Sequence, residues 1–135
     1  VIIGGSIMGC ETAEFLIKRG RKVTIVHDGP TLGEGIPVED LMRFMPWLDK
    51  KVIERYTEAK WDEVTAAGLV ITTKEGERKT LPADTVLVTL PYFPNTDIEK
   101  SFRGKAPDIY IIGSAAEPGL VVNAIADGAK TGREI

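Results

Sequence analysis

The chain has 135 residues, of which 43% are hydrophobic and 27% charged, a balance typical of globular domains. Its 17 basic and 20 acidic residues give a net charge of −3, which excludes the basic surface expected of a nucleic-acid or membrane-surface binder. A single cysteine excludes a disulfide framework within the chain, and no apolar run reaches the roughly 20 residues of a membrane span. We therefore expect a cytoplasmic globular domain with neither nucleic-acid nor membrane partners. Because the chain begins inside a strand pattern without methionine, we expect it to be a piece of a longer polypeptide.

The first elements alternate between strand and helix. Residues 1–3 form a short β-branched run, which predicts a buried parallel strand, and residues 23–26 predict a second one. Between them, apolar side chains recur at helical spacing over residues 7–19, and Gly20 follows as a helix end. This order predicts a βαβ unit.

The middle of the chain predicts a helix and then several short strands. Residues 38–52 carry apolar side chains at helical spacing. Alternating runs follow at residues 60–64, 69–73 and 78–81, with glycine-containing turns between them, and they predict a small antiparallel meander. Residues 85–89 predict a further buried strand.

The last third of the chain predicts a loop, a strand and a helix. Residues 91–107 are expected to be mostly loop, residues 109–112 a strand ending at Gly113, and residues 121–135 a helix. The apolar side chains expected to pack inward from that helix are Val122, Ile125, Ala126 and Ala129. The predicted fold class is α/β: a Rossmann-like three-layer fold, with helices on one face of a parallel sheet and the antiparallel meander on the other. We expect residues 1–135 to form one domain.

A glycine-rich turn lies between the first predicted strand and helix. In such a turn the first glycine permits a tight bend, the second lets a ligand approach the backbone, and the third lets the helix pack against the strand. The free amides and positive dipole end of the helix then bind a pyrophosphate. Strand, turn and helix together predict a dinucleotide site, with candidate ligand residues Gly4, Gly5, Ser6, Ile7, Met8 and Gly9.

Ser6 departs from this pattern, because it stands where glycine is usual. Its Cβ and hydroxyl narrow the approach of a ligand to the backbone, which would weaken binding. The hydroxyl could equally donate a hydrogen bond to a phosphate oxygen. A turn that serves folding alone is the remaining alternative.

The end of the second predicted strand is His27-Asp28. A carboxylate at this point binds the ribose 2′-hydroxyl of NAD, whereas a basic group suits the 2′-phosphate of NADP. Asp28 favours the first and His27 the second, so both cofactors remain open. A half-exposed histidine at the edge of a loop, without a ligand, is the alternative for His27.

Two residues in the first helical turn have polar or reactive side chains. Glu11 interacts favourably with the helix dipole, and it is also a candidate contact to the nicotinamide ribose. Cys10 stands where the dipole lowers a thiol pKa. It also falls on the inner face of the helix, which favours a small buried residue without a reactive role.

Three segments resemble parts of flavoproteins that bind two dinucleotides. "VIIGGSIMGCETAEFLIKRGRKVTIV" is similar to their nicotinamide-nucleotide segment, and "ADTVLVTLPYFPN" to the strand and loop that follow it. "IYIIGSAAEPGLVVNAIADGAKTGREI" is similar to their carboxy-terminal strand and helix, which contact FAD. The closing segment resembles in particular the group of 2,4-dienoyl-CoA reductase, trimethylamine dehydrogenase and NADH:flavin oxidoreductase.

The resemblance implies a domain that positions NAD or NADP in its reduced form for hydride transfer to flavin. It divides the chain into a nested NAD(P)-binding part, residues 1–92, and a returning FAD-side part, residues 93–135. It also implies an upstream barrel with FMN and an iron–sulfur cluster in the parent protein, and it leaves a homo-oligomer open. No catalytic side chain or metal ligand is implied, so we expect the chain alone to be inactive. Beyond the glycine turn, the cofactor contacts implied are Leu90, Pro91, Gly113 and Ser114.

Three of these positions differ from the family pattern. Ser6 and Pro91 stand where glycine is usual, and Ser114 stands where an aspartate usually contacts FAD. Proline fixes φ and adds bulk where the backbone passes a cofactor. The alternative function is therefore a degenerate Rossmann-like domain with a structural or subunit-contact role and no tight cofactor binding.

Overall fold

The computed structural model describes residues 1–52 and 54–135. The chain divides into two compact units, Val1–Leu90 and Pro91–Ile135. The elements of the first unit are strands β1 to β7 and helices α1 and α2: β1 Ile2–Ile3, α1 Ile7–Ile17, β2 Thr24–Val26, α2 Val38–Lys51, β3 Glu54–Tyr56, β4 Lys60–Thr65, β5 Gly68–Thr72, β6 Arg78–Pro82 and β7 Leu87–Val88.

The first unit contains a parallel sheet and an antiparallel sheet. The parallel sheet has the order β3-β2-β1-β7, and Ile2 of β1 pairs with Ile25 on one side and Leu87 on the other. Strands β4, β5 and β6 form the antiparallel meander. Strand β3, Glu54–Tyr56, was not predicted, because it lies at the edge of the sheet and its short, largely exposed sequence has no apolar run.

Alternate side chains of the parallel sheet face two different layers. Ile2 and Ile25 pack with Cys10 of α1 and Leu48 of α2. The next residues along the same strands face the opposite side, because successive side chains of a strand alternate. The apolar cluster on that side joins the parallel sheet to the meander: Ile3, Val26, Ala59, Leu69, Ile71 and Leu81. The predicted fold class, with helices on one face and the meander on the other, is confirmed.

The second unit contains helix α3, Asp97–Phe102, a 3-10 turn, Gly113–Ala115, and helix α4, Val121–Glu134. Helix α3 falls within a stretch predicted to be loop. The predicted strand at residues 109–112 is wrong, since within Pro91–Ile135 these residues pair with no other strand. A strand needs a hydrogen-bonding neighbour, and this unit does not supply one.

Helix α4 confirms the last predicted helix but not its inward face. Val122 and Ile125 are 64% and 65% exposed, and Ala126 and Ala129 are exposed as well. The periodicity correctly predicts an amphipathic helix, but the second unit has no layer against which this face can pack. In the part of the chain that the structure describes, no helix has both the length and the apolar character needed to cross a membrane.

Two valines test the importance of the interface between sheet and meander. Val26 is fully buried at this interface, whereas Val64 on β4 is 61% exposed. We expect Val26→Ala to lower the free energy of unfolding by about 2–3 kcal/mol, since it removes buried methyl groups and leaves a cavity. Val64→Ala should change it by less than about 0.5 kcal/mol. Urea denaturation measures both, and equal effects would contradict the layered core.

Candidate cofactor-binding site

The glycine turn between β1 and α1 is closed by close backbone packing. Gly4 has φ of +104°, which glycine adopts without strain, and its amide donates to the carbonyl of Val26 at 2.8 Å. A Cβ at Gly9 would overlap the carbonyl oxygen of Gly4 and lie 2.9 Å from Oγ1 of Thr89. Glycine is therefore required where α1 crosses β1, as the sequence pattern predicts.

Ser6 is the N-cap residue of α1, with an extended backbone and no hydrogen bond from its side chain to the helix. The hydroxyl is thus not used for capping. In the first turn, the Ile7 amide donates to the carbonyl of Glu34 at 2.7 Å. The amides of Met8 and Gly9 have no carbonyl ahead of them within the helix. These amides point from the end of α1 that carries its partial positive charge.

The connection between β2 and α2 lies over the glycine turn, and its residues 29–36 are called the covering loop here. Gly33 of this loop donates its amide to the carbonyl of Gly5 at 2.7 Å. Leu32 is buried, and a Cβ at Gly5 would overlap its side chain. A phosphate oxygen that binds the Ile7 amide must therefore share it with Glu34 or displace the loop.

The two residues that follow β2 differ in the exposure of their side chains. His27 is 8% exposed, and its Nδ1 accepts the amide hydrogen of Gly5 at 3.2 Å. The side chain of Asp28 is 65% exposed, with Oδ1 3.2 Å from the same Nδ1. His27 is therefore part of the support of the turn, and Asp28 is the side chain that remains accessible at the end of the strand.

Thr89, at the end of β7, is a site residue that the sequence analysis missed. It is buried, and Oγ1 lies 3.0 Å from the carbonyl oxygen of Ile3 and 3.1 Å from that of Gly4. The sequence feature that could have indicated it is a hydroxyl side chain directly after a predicted buried strand. The neighbouring Leu90 is half-buried and packs against the cluster between sheet and meander.

Glu11 lies on the exposed side of the first turn of α1. It borders a groove of about 480 Å³ between α1 and α2, together with Ile7, Asp40, Arg43 and Trp47. The groove carries charges of both signs, so it has no strong preference for an anionic or a cationic ligand.

The remaining predicted site residues belong to the second unit. Pro91 and Ser114 are exposed. Gly113 is buried with φ of +59°, and its amide donates to Oδ2 of Asp127 on α4 at 3.1 Å. Asp127 was not predicted as a partner of Gly113, because the contact joins residues 14 apart in the sequence.

Cys10 is a buried free thiol whose Sγ lies 3.3 Å from the carbonyl oxygen of Gly5. Burial raises the pKa of the thiol to about 11, and the negative charge of Glu11 acts in the same direction. A backbone hydrogen bond from Gly33 opposes them. The expectation of a small buried residue is confirmed, since Cys10 is fully buried and burial is the largest influence on the pKa of its thiol.

The fold and this turn define a dinucleotide-binding domain of the Rossmann type. The sequence pattern of the family described as pyridine nucleotide-disulphide oxidoreductase matches residues 1–128. The chain belongs to this family. The predicted resemblance to the flavoproteins related to dienoyl-CoA reductase is confirmed by the relatives.

Among curated relatives, the chain is 31% identical over 131 residues to NADH oxidase of Thermoanaerobacter brockii, covering 95% of this chain and 20% of that protein. It is 33% identical over 134 residues to cinnamate reductase of Clostridium sporogenes, covering 93% of this chain and 19% of that protein. A solved 2-naphthoyl-CoA reductase, in complex with 2-naphthoyl-CoA, superposes with a TM-score of 0.83 at 27% identity, covering 99% of this chain and 20% of that one. The chain thus spans about a fifth of the length of these proteins.

A pair of glycine substitutions tests the close packing of the turn. Gly9→Ala forces a Cβ against the Gly4 carbonyl, so we expect it to lower the free energy of unfolding by about 1–3 kcal/mol. The matched control is Gly132→Ala on α4, where a Cβ meets no atom within 4 Å. There we expect no loss, or a gain of up to about 1 kcal/mol from helix propensity. Thermal unfolding measures both variants. An unchanged stability of Gly9→Ala would contradict the packing described.

Cys10 should make stability depend on pH in the alkaline range. Its thiol has a pKa of about 11 when folded against an ordinary value of 9.0, so the unfolded chain ionises first. Stability should therefore fall as pH rises from 9 toward 11, by up to about 1.4 kcal/mol per pH unit. Urea denaturation of the natural chain and of Cys10→Ala measures this slope, which the variant should lose. An equal slope in both would refute the assignment.

Proposed function

We propose that the first unit binds NADH or NADPH and positions the nicotinamide for hydride transfer to a flavin in a longer parent protein. One observation carries the proposal: Gly4 and Gly9 pack too closely for any side chain, and so hold the start of α1 against the end of β1. This arrangement offers backbone amides and a positive dipole end to a diphosphate. The family membership supports the same function.

Several of the predicted contacts of the first unit have distinct parts in this proposal. The amides of Ile7, Met8 and Gly9 bind the diphosphate, and Asp28 hydrogen-bonds the adenosine ribose from the end of β2. Glu11 lies further along α1, on the side expected for the nicotinamide ribose. The reduced nicotinamide supplies the hydride, so this chain contributes binding and orientation without an acid or a base.

The second unit contributes the FAD side of the proposed function. Gly113 and Ser114 approach the FAD. Leu90 and Pro91 contact the cofactor from the end of the nicotinamide-binding part, residues 1–92, just before the returning part, residues 93–135. The FAD, the FMN barrel and the iron–sulfur cluster belong to the parent protein, as the resemblance implies. The length of the relatives supports such further domains. We place the protein in the cytoplasm, with which the free thiol of Cys10 is compatible.

A second function is favoured by the hydrogen bonds of the turn. The amides of Gly5 and Ile7 are already bonded within the chain, to His27 and Glu34. Ser6 adds a Cβ at the point of closest approach. A chain that satisfies its turn internally could keep this fold for subunit contact and bind no dinucleotide tightly.

Titration of the purified chain separates the two functions. NADH, NADPH and FAD are added separately, and binding is followed by calorimetry. Micromolar binding of a nicotinamide dinucleotide is expected from the proposed function, at about −8 kcal/mol. Millimolar or absent binding of all three would favour the structural role.

Ser6→Gly tests whether the serine weakens the site. Removing the Cβ opens the approach to the backbone, so we expect nicotinamide dinucleotide affinity to rise roughly five- to tenfold, or about 1–1.4 kcal/mol. Ser114→Gly is the matched control, because it changes the same residue type in the second unit and should leave this affinity unchanged. Unaltered binding in Ser6→Gly would mean that Ser6 does not restrict the ligand, and weaker binding would assign its hydroxyl to a phosphate.

A further inference from the structure

We propose that His27 is a positioning residue for the dinucleotide. It acts through the hydrogen bond of its Nδ1, either with the Gly5 amide or with the Asp28 carboxylate. With Nδ1 unprotonated it holds the Gly5 amide and leaves the Asp28 carboxylate free for the ribose. With Nδ1 protonated it pairs with Asp28 and releases Gly5. This inference rests on the proposed function, since it concerns the same glycine turn.

Both the backbone and the ring of His27 are held by neighbouring residues. The backbone amide of His27 donates to the carbonyl of Tyr56 at 2.7 Å, and its carbonyl accepts from the amide of Ala59 at 3.0 Å. A Cβ at Gly29 would lie 2.6 Å from Nε2, so the backbone of the covering loop packs against the ring. The ring therefore has a defined orientation, with Nδ1 directed at Gly5.

The Gly5 amide depends on this contact. Gly5 is buried, and a Cβ there would lie 3.0 Å from both Cβ and Cγ of His27. The hydrogen bond that its amide donates to Nδ1 is 3.2 Å long and is itself buried. A buried amide that loses its acceptor is costly, because water does not replace the bond. Loss of the His27 acceptor therefore disturbs the turn at the residue directly before Ser6.

Nδ1 has two neighbours with opposite requirements. An amide donor needs a lone pair on Nδ1, whereas a carboxylate oxygen needs a proton there. The Gly5 amide and Oδ1 of Asp28 both lie 3.2 Å from Nδ1. Only one of them is satisfied in a given protonation state, so protonation exchanges the partner.

The other charged groups near the ring do not compete for Nδ1. Glu58 donates its backbone amide to the Gly29 carbonyl, and its side chain pairs with Lys74. Glu34 on the covering loop is exposed, and its carbonyl accepts from Ile7. Around the ring, Gly5, Gly29 and Leu32 carry no charge, so Asp28 is the charged partner of Nδ1.

Protonation then weakens dinucleotide binding in two ways. The glycine turn loses the bond that orients the Gly5 amide, and the Asp28 carboxylate becomes engaged with the imidazolium.

Calorimetry of NAD⁺ binding at about pH 8 and about pH 5.5 tests this proposal, because acidification favours the protonated form of Nδ1. The chain should lose at least about threefold in affinity on acidification. His27→Asn keeps an acceptor without titrating, so it should bind at both pH values as the natural chain binds at the higher one. His27→Leu keeps the bulk without the acceptor and should bind weakly at both. An acid loss that persists in His27→Asn, or natural affinity in His27→Leu, would overturn the proposal.

A second measurement follows the chain without cofactor and is then compared with the calorimetry of NAD⁺ binding. His27 is the only histidine of the 135-residue chain, so its ring resonances are unambiguous in NMR spectra. The amide proton of Gly5 should shift with the same midpoint as the ring and lose this shift in His27→Asn. If NAD⁺ binds but the Gly5 resonance does not shift with the ring resonances, the inference on His27 fails and the proposed function stands. If the resonances shift together but NAD⁺ does not bind, the proposed function fails, and the positioning role of His27 fails as well.

Discussion

The close approach of Gly9 to the carbonyl of Gly4 is the constraint on which the first unit depends. It lets α1 cross β1 without a side chain between them. Ile2 can then reach Cys10 on α1, and the core between sheet and helices closes. The same approach brings the start of α1 to the carboxyl ends of the parallel strands, where α/β folds bind their ligands.

Around this turn, polar groups are satisfied by residues from three different parts of the chain. His27 bonds the Gly5 amide, Thr89 lies against the Gly4 carbonyl, and Glu34 accepts from Ile7. Buried polar groups require such partners, so a small movement of the turn affects all three contacts. Of the groups in these contacts, the amides of Gly5 and Ile7 are donors that already have acceptors within the chain.

The second unit differs, because its apolar groups are largely exposed. Residues 109–112 have a strand-like sequence without a partner strand in their unit, and α4 presents Val122 and Ile125 to solvent. Both patterns are typical of elements that pack in a larger fold.

The sequence alone determined what depends on neighbouring residues: the helical spacing of α1, the alternating runs of the meander and the glycine spacing of the turn. These patterns reflect backbone geometry, which acts over a few residues. The tertiary structure decided which groups meet across the chain. The inward orientation of His27 joins residues 22 apart, and the contact of Thr89 with Gly4 spans 85. Tertiary structure also decided that β3 forms a strand and that residues 109–112 do not. The reason is that a strand exists only where a neighbour accepts its hydrogen bonds.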